Sequence, residues 1–179
     1  MTFNHKTILL WGFGKTGRSI SRYIEKHYPE SQIIILDKNK EKINVCDIPK
    51  NCITFLNESE WEKYYHKVDI IIPSPGVKLP HEIINSSKLL CELDALYALW
   101  RGSIIAITGS IGKTTITTFV HKILASNDND KICLGGNIGI PVFDLLGQEN
   151  EEDVCAVLEV SSAQLQYARK FSPQYIIWN

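Results

Sequence analysis

Residues 104–115 run from an unbroken apolar stretch, Ile104-Ile105-Ala106-Ile107-Thr108, into Gly109-Ser110-Ile111-Gly112-Lys113-Thr114-Thr115 and then into an amphipathic segment. That order restricts the fold more than any other feature of the chain. A strand apolar on both faces has to be covered on both. A glycine loop that opens straight into a helix carries the chain back over one of those faces. The expected unit is strand, loop and helix within a parallel α/β sheet with right-handed crossovers. The same order occurs earlier, where the apolar run 7–11 leads into Gly12-Phe13-Gly14-Lys15-Thr16-Gly17 and a helical pattern.

Apolar, β-branched runs at 7–11, 32–36, 68–72, 104–108, 131–134, 154–158 and 175–178 are candidate strands. Helical periodicity occupies about 16–26, 93–100, 113–125 and 163–170, and the two patterns alternate along almost the whole chain. With a glycine turn opening each half, the reading is two α/β domains, 1–100 and 101–179, the first Rossmann-like with a parallel sheet. The polar stretches 126–130 and 148–153 read as solvated loops. Trp61, Tyr64 and Tyr65 are placed to pack a helix on the first sheet, and Glu92 and Asp94 to cap a helix starting at Leu93.

Composition narrows the partners. A net charge of -1 gives no bulk attraction for nucleic acid or an anionic membrane, though a few backbone N–H groups can still hold a phosphate. Five cysteines with no Cys-x-x-Cys pair fit reduced thiols better than a disulfide framework or a zinc site. The five histidines show no metal-ligand spacing. The run ending at Trp11 is too short for a signal peptide or a membrane span, so a cytoplasmic protein is expected.

The second loop carries the sharper chemistry. Its glycines let backbone N–H groups close round phosphate oxygens, and the following helix adds its positive end. Gly109, Ser110, Ile111, Gly112, Lys113, Thr114 and Thr115 are the candidate triphosphate cradle. Lys113 is the residue to reach the outer phosphates, and the Thr114 hydroxyl to meet magnesium. The strict form of the motif has glycine at position 107, where this chain has isoleucine. Magnesium takes hard oxygen ligands, and Glu159, closing the next core strand, is the candidate carboxylate. The first loop fits Gly-x-Gly-x-x-Gly with Asp37 about twenty residues on. By itself that pattern is compatible with NAD, with another diphosphate nucleotide, or with a purely structural turn.

Five motifs in order now give a family resemblance. They are Gly12 to Gly17, Ser74-Pro75-Gly76-Val77, Ala106 to Thr115, Gly135-Gly136-Asn137-Ile138-Gly139-Ile140-Pro141, and Glu159-Val160-Ser161-Ser162-Ala163-Gln164-Leu165. With them the chain resembles the Mur ligases of peptidoglycan synthesis. The Gly-Gly-Asn-Ile-Gly and Glu-x-Ser-Ser-x-Gln-Leu segments favour the branch that joins D-glutamate to UDP-N-acetylmuramoyl-L-alanine.

The resemblance implies a UDP-binding first domain followed by the opening part of a P-loop central domain that binds ATP with Mg2+. It implies substrate contacts from Gly14, Lys15 and Thr16 at the diphosphate, and from Asp37 and Lys38 near the uracil or ribose. Ser74, Pro75 and Gly76 would line the same crevice, and Asn137 and Ser161 would face the substrate from the second domain. Thr114 and Glu159 would hold the metal, and Lys113 would serve catalysis of acyl-phosphate formation. The family pattern departs at Ile111, usually asparagine or histidine, so altered phosphate binding is expected. It also departs in length. An Asp-His pair, a carbamylated lysine and a C-terminal domain lie beyond Asn179 in relatives, so this chain corresponds to the N-terminal portion. A separate chain supplying the remainder, or a nucleotide-binding remnant without turnover, are alternative readings, as is an NAD-dependent oxidoreductase built on the first loop. The last strand, 175–178, is expected to be an exposed apolar edge.

Overall fold

The computed structural model describes residues 2–39, 43–126, 131–146 and 153–179. The polar stretches 126–130 and 148–153 fall almost wholly outside these residues. The chain divides into two compact units, Met1–Glu92 and Leu93–Asn179, each with its own parallel sheet.

In the first unit, β1 (Thr7–Trp11), β2 (Gln32–Asp37), β3 (Cys52–Asn57) and β4 (Ile70–Pro73) form a sheet of order β3-β2-β1-β4. Leu9 pairs with Ile34 on one side and Ile71 on the other. Ile8, Leu9, Leu10 and Ile33 to Leu36 are almost entirely buried, as expected for strands covered on both faces. Helix α1 (Lys15–His27) turns Ile20 and Ile24 into the core. Each such side chain removed from water contributes about 1.5–3 kcal/mol. The short helices α2 (Glu62–Tyr65) and α3 (His81–Ile84) complete the unit.

Helix α4 (Glu92–Leu99) leads into the second unit. There β5 (Ser103–Thr108), β6 (Ile132–Gly136), β7 (Cys155–Glu159) and β8 (Tyr175–Trp178) are ordered β6-β7-β5-β8, all parallel. Helix α5 (Lys113–Leu124) links β5 to β6, and α6 (Val142–Leu145) and α7 (Ser162–Leu165) are single turns. Strand β8 is an edge, with Tyr175, Ile176 and Trp178 exposed.

Four expectations are corrected. Strand β3 was absent from the candidate strands, although Ile53-Thr54-Phe55-Leu56 is β-rich; in the sheet it is a half-buried edge. Strand β4 starts at Ile70, since the Asp69 carboxylate accepts the Thr7 N–H (2.9 Å) and ends the pairing there. The helix expected over 163–170 stops at Leu165. The reason is Asp94, which sits inside α4 rather than capping it. Its buried carboxylate accepts the N–H groups of Arg169 (3.0 Å), Lys170 (2.8 Å) and Phe171 (2.8 Å), holding those residues out of helix.

Candidate functional site

The carboxyl ends of the second sheet collect the groups expected around a triphosphate. Gly109 and Gly112 adopt positive φ (146° and 78°) and bend the chain from β5 into α5. No side chain caps α5 among the described residues, so its first turn presents backbone N–H groups and the positive dipole end to whatever anion approaches. Lys113 folds its ammonium over the loop, donating to the Gly109 carbonyl (2.8 Å). Ile111 turns its side chain to solvent at 83 % exposure. Ile111 therefore contributes its backbone, and not its side chain, to the loop. Asn179, after β8, donates its N–H to the Thr108 carbonyl (3.0 Å) and accepts the Ser110 N–H (3.1 Å). Its side-chain amide donates to the Ile111 carbonyl. Motif reading did not anticipate this buttress, because it depends on β8 lying beside β5.

Glu159 is the centre of the arrangement. It closes β7 beside Ile107 of β5 and is 1 % exposed. Its Oε2 accepts the Thr114 hydroxyl (2.7 Å), and its Oε1 accepts the Asn137 side-chain amide (2.6 Å). The Asn137 backbone N–H also donates to the Glu159 carbonyl (2.8 Å). Gly136 makes this approach possible, since a β-carbon there would stand 2.2 Å from the Glu159 carbonyl oxygen. Ser161 caps α7 reciprocally with Gln164, which fixes how the chain leaves β7.

In the first unit, Gly14 is the N-cap of α1, and Lys15 and Thr16 are its first two residues. The loop closes tightly, because a β-carbon on Gly17 would lie 2.3 Å from the Gly12 carbonyl oxygen. Around Gly14, by contrast, the space is open. The Asp37 carboxylate accepts the N–H groups of Phe13 (2.7 Å) and Asn39 (2.7 Å). Its observed partners are thus the backbone of the glycine loop and of its own turn. Ser74 donates its hydroxyl to the Gly12 carbonyl (2.9 Å), and Pro75 and Gly76 make the turn that Val77 closes back on Ser74 (3.2 Å). Lys38 lies in a cleft of about 380 Å³ with Trp11, Asn57, Glu58, Trp61 and Lys78 among its walls. It pairs there with Glu58 (3.4 Å).

The structure thus gathers Lys113, Thr114, Asn137, Glu159 and Ser161 at one sheet end. It gathers Gly14, Lys15, Thr16, Asp37, Ser74, Pro75 and Gly76 round the first loop. Of the cleft residues, Asn57 and Lys78 were not among the sequence candidates, and Trp61, expected to pack on the first sheet, lies with its ring 6.1 Å from that of Trp11. The available signal was the β-rich run Ile53-Thr54-Phe55-Leu56 between Pro49 and Asn57, which as a strand places Asn57 level with Asp37. The donor set at Glu159 and Thr114 is two hard oxygens 2.7 Å apart. That suits a divalent cation which completes its shell with phosphate oxygens and water. No cluster of three or more His, Cys, Asp or Glu side chains able to hold a metal occurs among the described residues. No helix among them is long and apolar enough to cross a membrane.

Residues 6–89 match the family model for the Mur ligase MurD-like N-terminal domain, and residues 107–177 that for the Mur ligase middle domain. The UDP-N-acetylmuramoylalanine--D-glutamate ligase of Legionella pneumophila (strain Lens) is 30% identical over 177 residues, covering 95% of this chain and 39% of the relative. That of Lawsonia intracellularis is 34% identical over 175 residues, covering 93% and 38%. The chain therefore spans about 39% of the length of such relatives. Among solved structures, a murein peptide ligase from Psychrobacter arcticus 273-4 aligns with a TM-score of 0.48 at 16% identity, covering 87% of this chain and 37% of that one.

Proposed function

This chain belongs to the Mur ligase family, and on that premise we propose that it is the substrate- and ATP-phosphate-binding portion of a peptidoglycan-precursor ligase, acting in the cytoplasm. In this reading the first unit takes UDP-N-acetylmuramoyl-L-alanine. Gly14, Lys15 and Thr16 meet the diphosphate, Asp37 and Lys38 stand near the nucleoside, and Ser74, Pro75 and Gly76 line the crevice. The second unit takes ATP at Gly109 to Thr115.

The reaction is amide formation. The L-alanyl carboxylate attacks the γ-phosphorus of ATP, releasing ADP and leaving an acyl phosphate. The amine of D-glutamate then displaces phosphate, losing its proton, to give the amide. The loop's N–H groups and the α5 terminus bind and orient the phosphates. The Lys113 ammonium leaves the Gly109 carbonyl for the negative charge that spreads over the transferred phosphoryl group. Thr114 and Glu159 would hold Mg2+, which when bound neutralises phosphate charge. The attacking amine and the closing of the site over ATP involve parts of the fold that the relatives carry beyond the matched region.

The observation that carries the reading is the Thr114–Glu159 pair directly behind the Gly109–Thr115 loop. Calorimetry on the folded chain tests it. UDP-N-acetylmuramoyl-L-alanine and Mg2+-AMP-PNP are each expected to bind, and Lys113→Ala to weaken the second at least tenfold while sparing the first. A folded chain that takes up neither compound would refute the proposal. Addition of ATP, the sugar nucleotide and D-glutamate, with phosphate release as readout, separates an active portion from a binding-only one.

A further inference from the structure

The Gly135-Gly136-Asn137 turn does more than end a strand. The β6–β7 register sets Gly136 opposite Glu159, and Gly136 takes φ 102°. The Gly136 N–H donates to the Ile140 carbonyl (2.9 Å), which pins the far side of the same turn. Asn137 is therefore held by its own backbone, through the 2.8 Å bond from its N–H to the Glu159 carbonyl, before its side chain makes any contact. From that fixed base its amide reaches Glu159 Oε1 at 2.6 Å, while Oε2 remains with the Thr114 hydroxyl at 2.7 Å.

The chemistry of the two partners differs. A side-chain NH2 only donates, so it occupies Oε1 and makes that side of the carboxylate hostile to a cation. A hydroxyl can donate to Oε2 and still offer a lone pair to a metal. An unanchored glutamate would turn about its last torsion and present either oxygen, or both.

We infer that Asn137 is a positioning residue for the Glu159 carboxylate, holding Oε1 through its amide so that Oε2 alone faces Thr114 and the cation. The inference rests on the nucleotide-and-magnesium reading above. It gives Asn137 a role through another side chain, separate from any contact with the sugar-linked substrate. Groups that orient a metal ligand from behind typically affect metal affinity about 10–100-fold when removed.

Mn2+ titration of the 179-residue chain with AMP-PNP, following free Mn2+ by electron paramagnetic resonance, tests this apart from turnover. Asn137→Ala is expected to weaken Mn2+ binding about 10–100-fold, with metal-free AMP-PNP affinity changed less than about twofold. Because the residue acts through Glu159, adding Asn137→Ala to Glu159→Gln should cost less than about twofold more. If Asn137→Ala fails to fold, as judged by circular dichroism, Asn137→Ser carries the same test with a smaller polar side chain. Wild-type Mn2+ affinity in the folded variant, or full additivity with Glu159→Gln, would overturn the inference alone. A wild-type chain that binds neither Mn2+ nor AMP-PNP would overturn the nucleotide reading and this inference with it.

Discussion

Replacing Gly136 with alanine tests how tightly the fold and the candidate metal site are joined. The new methyl would lie 2.2 Å from the Glu159 carbonyl oxygen and 3.2 Å from its carbon. Both neighbours are backbone atoms of β7, an interior strand, so no flexible side chain can give way. At φ 102° an L-residue adds about 1–3 kcal/mol of backbone strain. Separating β6 from β7 to relieve the contact breaks the bond from the Asn137 N–H to the Glu159 carbonyl, worth about 1 kcal/mol. It also breaks the charge-assisted bond from the Asn137 amide to Oε1, worth about 1.5–3 kcal/mol. The expected loss is about 3.5–7 kcal/mol, a large part of the roughly 5–15 kcal/mol that holds a domain together. Because the chain has two compact units, a single melting curve is a poor assay. Hydrogen exchange read by mass spectrometry over β6 and β7 isolates the affected sheet, and the first sheet serves as the internal reference. Mn2+ affinity measured on the same sample should fall about 10–100-fold with the displaced carboxylate. Exchange within 0.5 kcal/mol of wild type in β6 and β7, with unchanged Mn2+ affinity, would refute the reasoning.

Other substitutions separate fold from ligand. Gly14→Ala meets nothing within 4 Å and keeps an allowed φ of -77°. As the α1 N-cap, however, Gly14 has ψ -153°, past the usual extended range, where Ala is poorer than Gly, so the change should cost about 0.5–1 kcal/mol while weakening UDP-N-acetylmuramoyl-L-alanine binding by calorimetry. Asp94→Ala removes the acceptor of three backbone N–H groups at 169–171 and should destabilise the second unit by about 3–5 kcal/mol. Asp94→Asn, keeping one acceptor oxygen, should cost less, and hydrogen exchange at 169–171 reports both. Burial, with the neighbouring Cys155 adding to it, pushes the Cys133 thiol from 9.0 up to about 11. The folded chain therefore keeps a proton that the unfolded chain loses, and stability should fall as pH rises from 9.0 to about 11. Iodoacetamide labelling followed by mass spectrometry should modify exposed Cys46 well before Cys133.

Most of the architecture was legible because it depends on local order. Apolar runs such as 7–11 and 104–108 read as strands without any knowledge of their neighbours, since a strand buried on both faces has apolar residues at every position. The helix over 113–125 was legible from its periodicity and from the glycine loop before it. What failed to read had its cause far away in the chain. Strand β3 has a β-rich core, Ile53 to Leu56, but so short a run does not by itself settle a strand, and it forms because β2 offers a parallel edge at Ile33 to Asp37. The helix expected to reach 170 ends early because a carboxylate from residue 94 takes its N–H groups.

The candidate site divides in the same way. The Gly109–Thr115 loop is a contiguous stretch whose phosphate chemistry follows from residue types at fixed spacing, and the sequence by itself was enough to mark Lys113, Thr114 and Glu159. It could not show that Asn137 turns its amide onto Glu159, nor that Asn179 closes over the loop. Those contacts join residues 22 and 68 positions apart. Such distances are bridged only when parallel strands set their carboxyl ends side by side, and register across a sheet is a property of the assembled layer rather than of any one strand. Local order determined which groups the proposed phosphate site draws on. The sheet decided which of them meet.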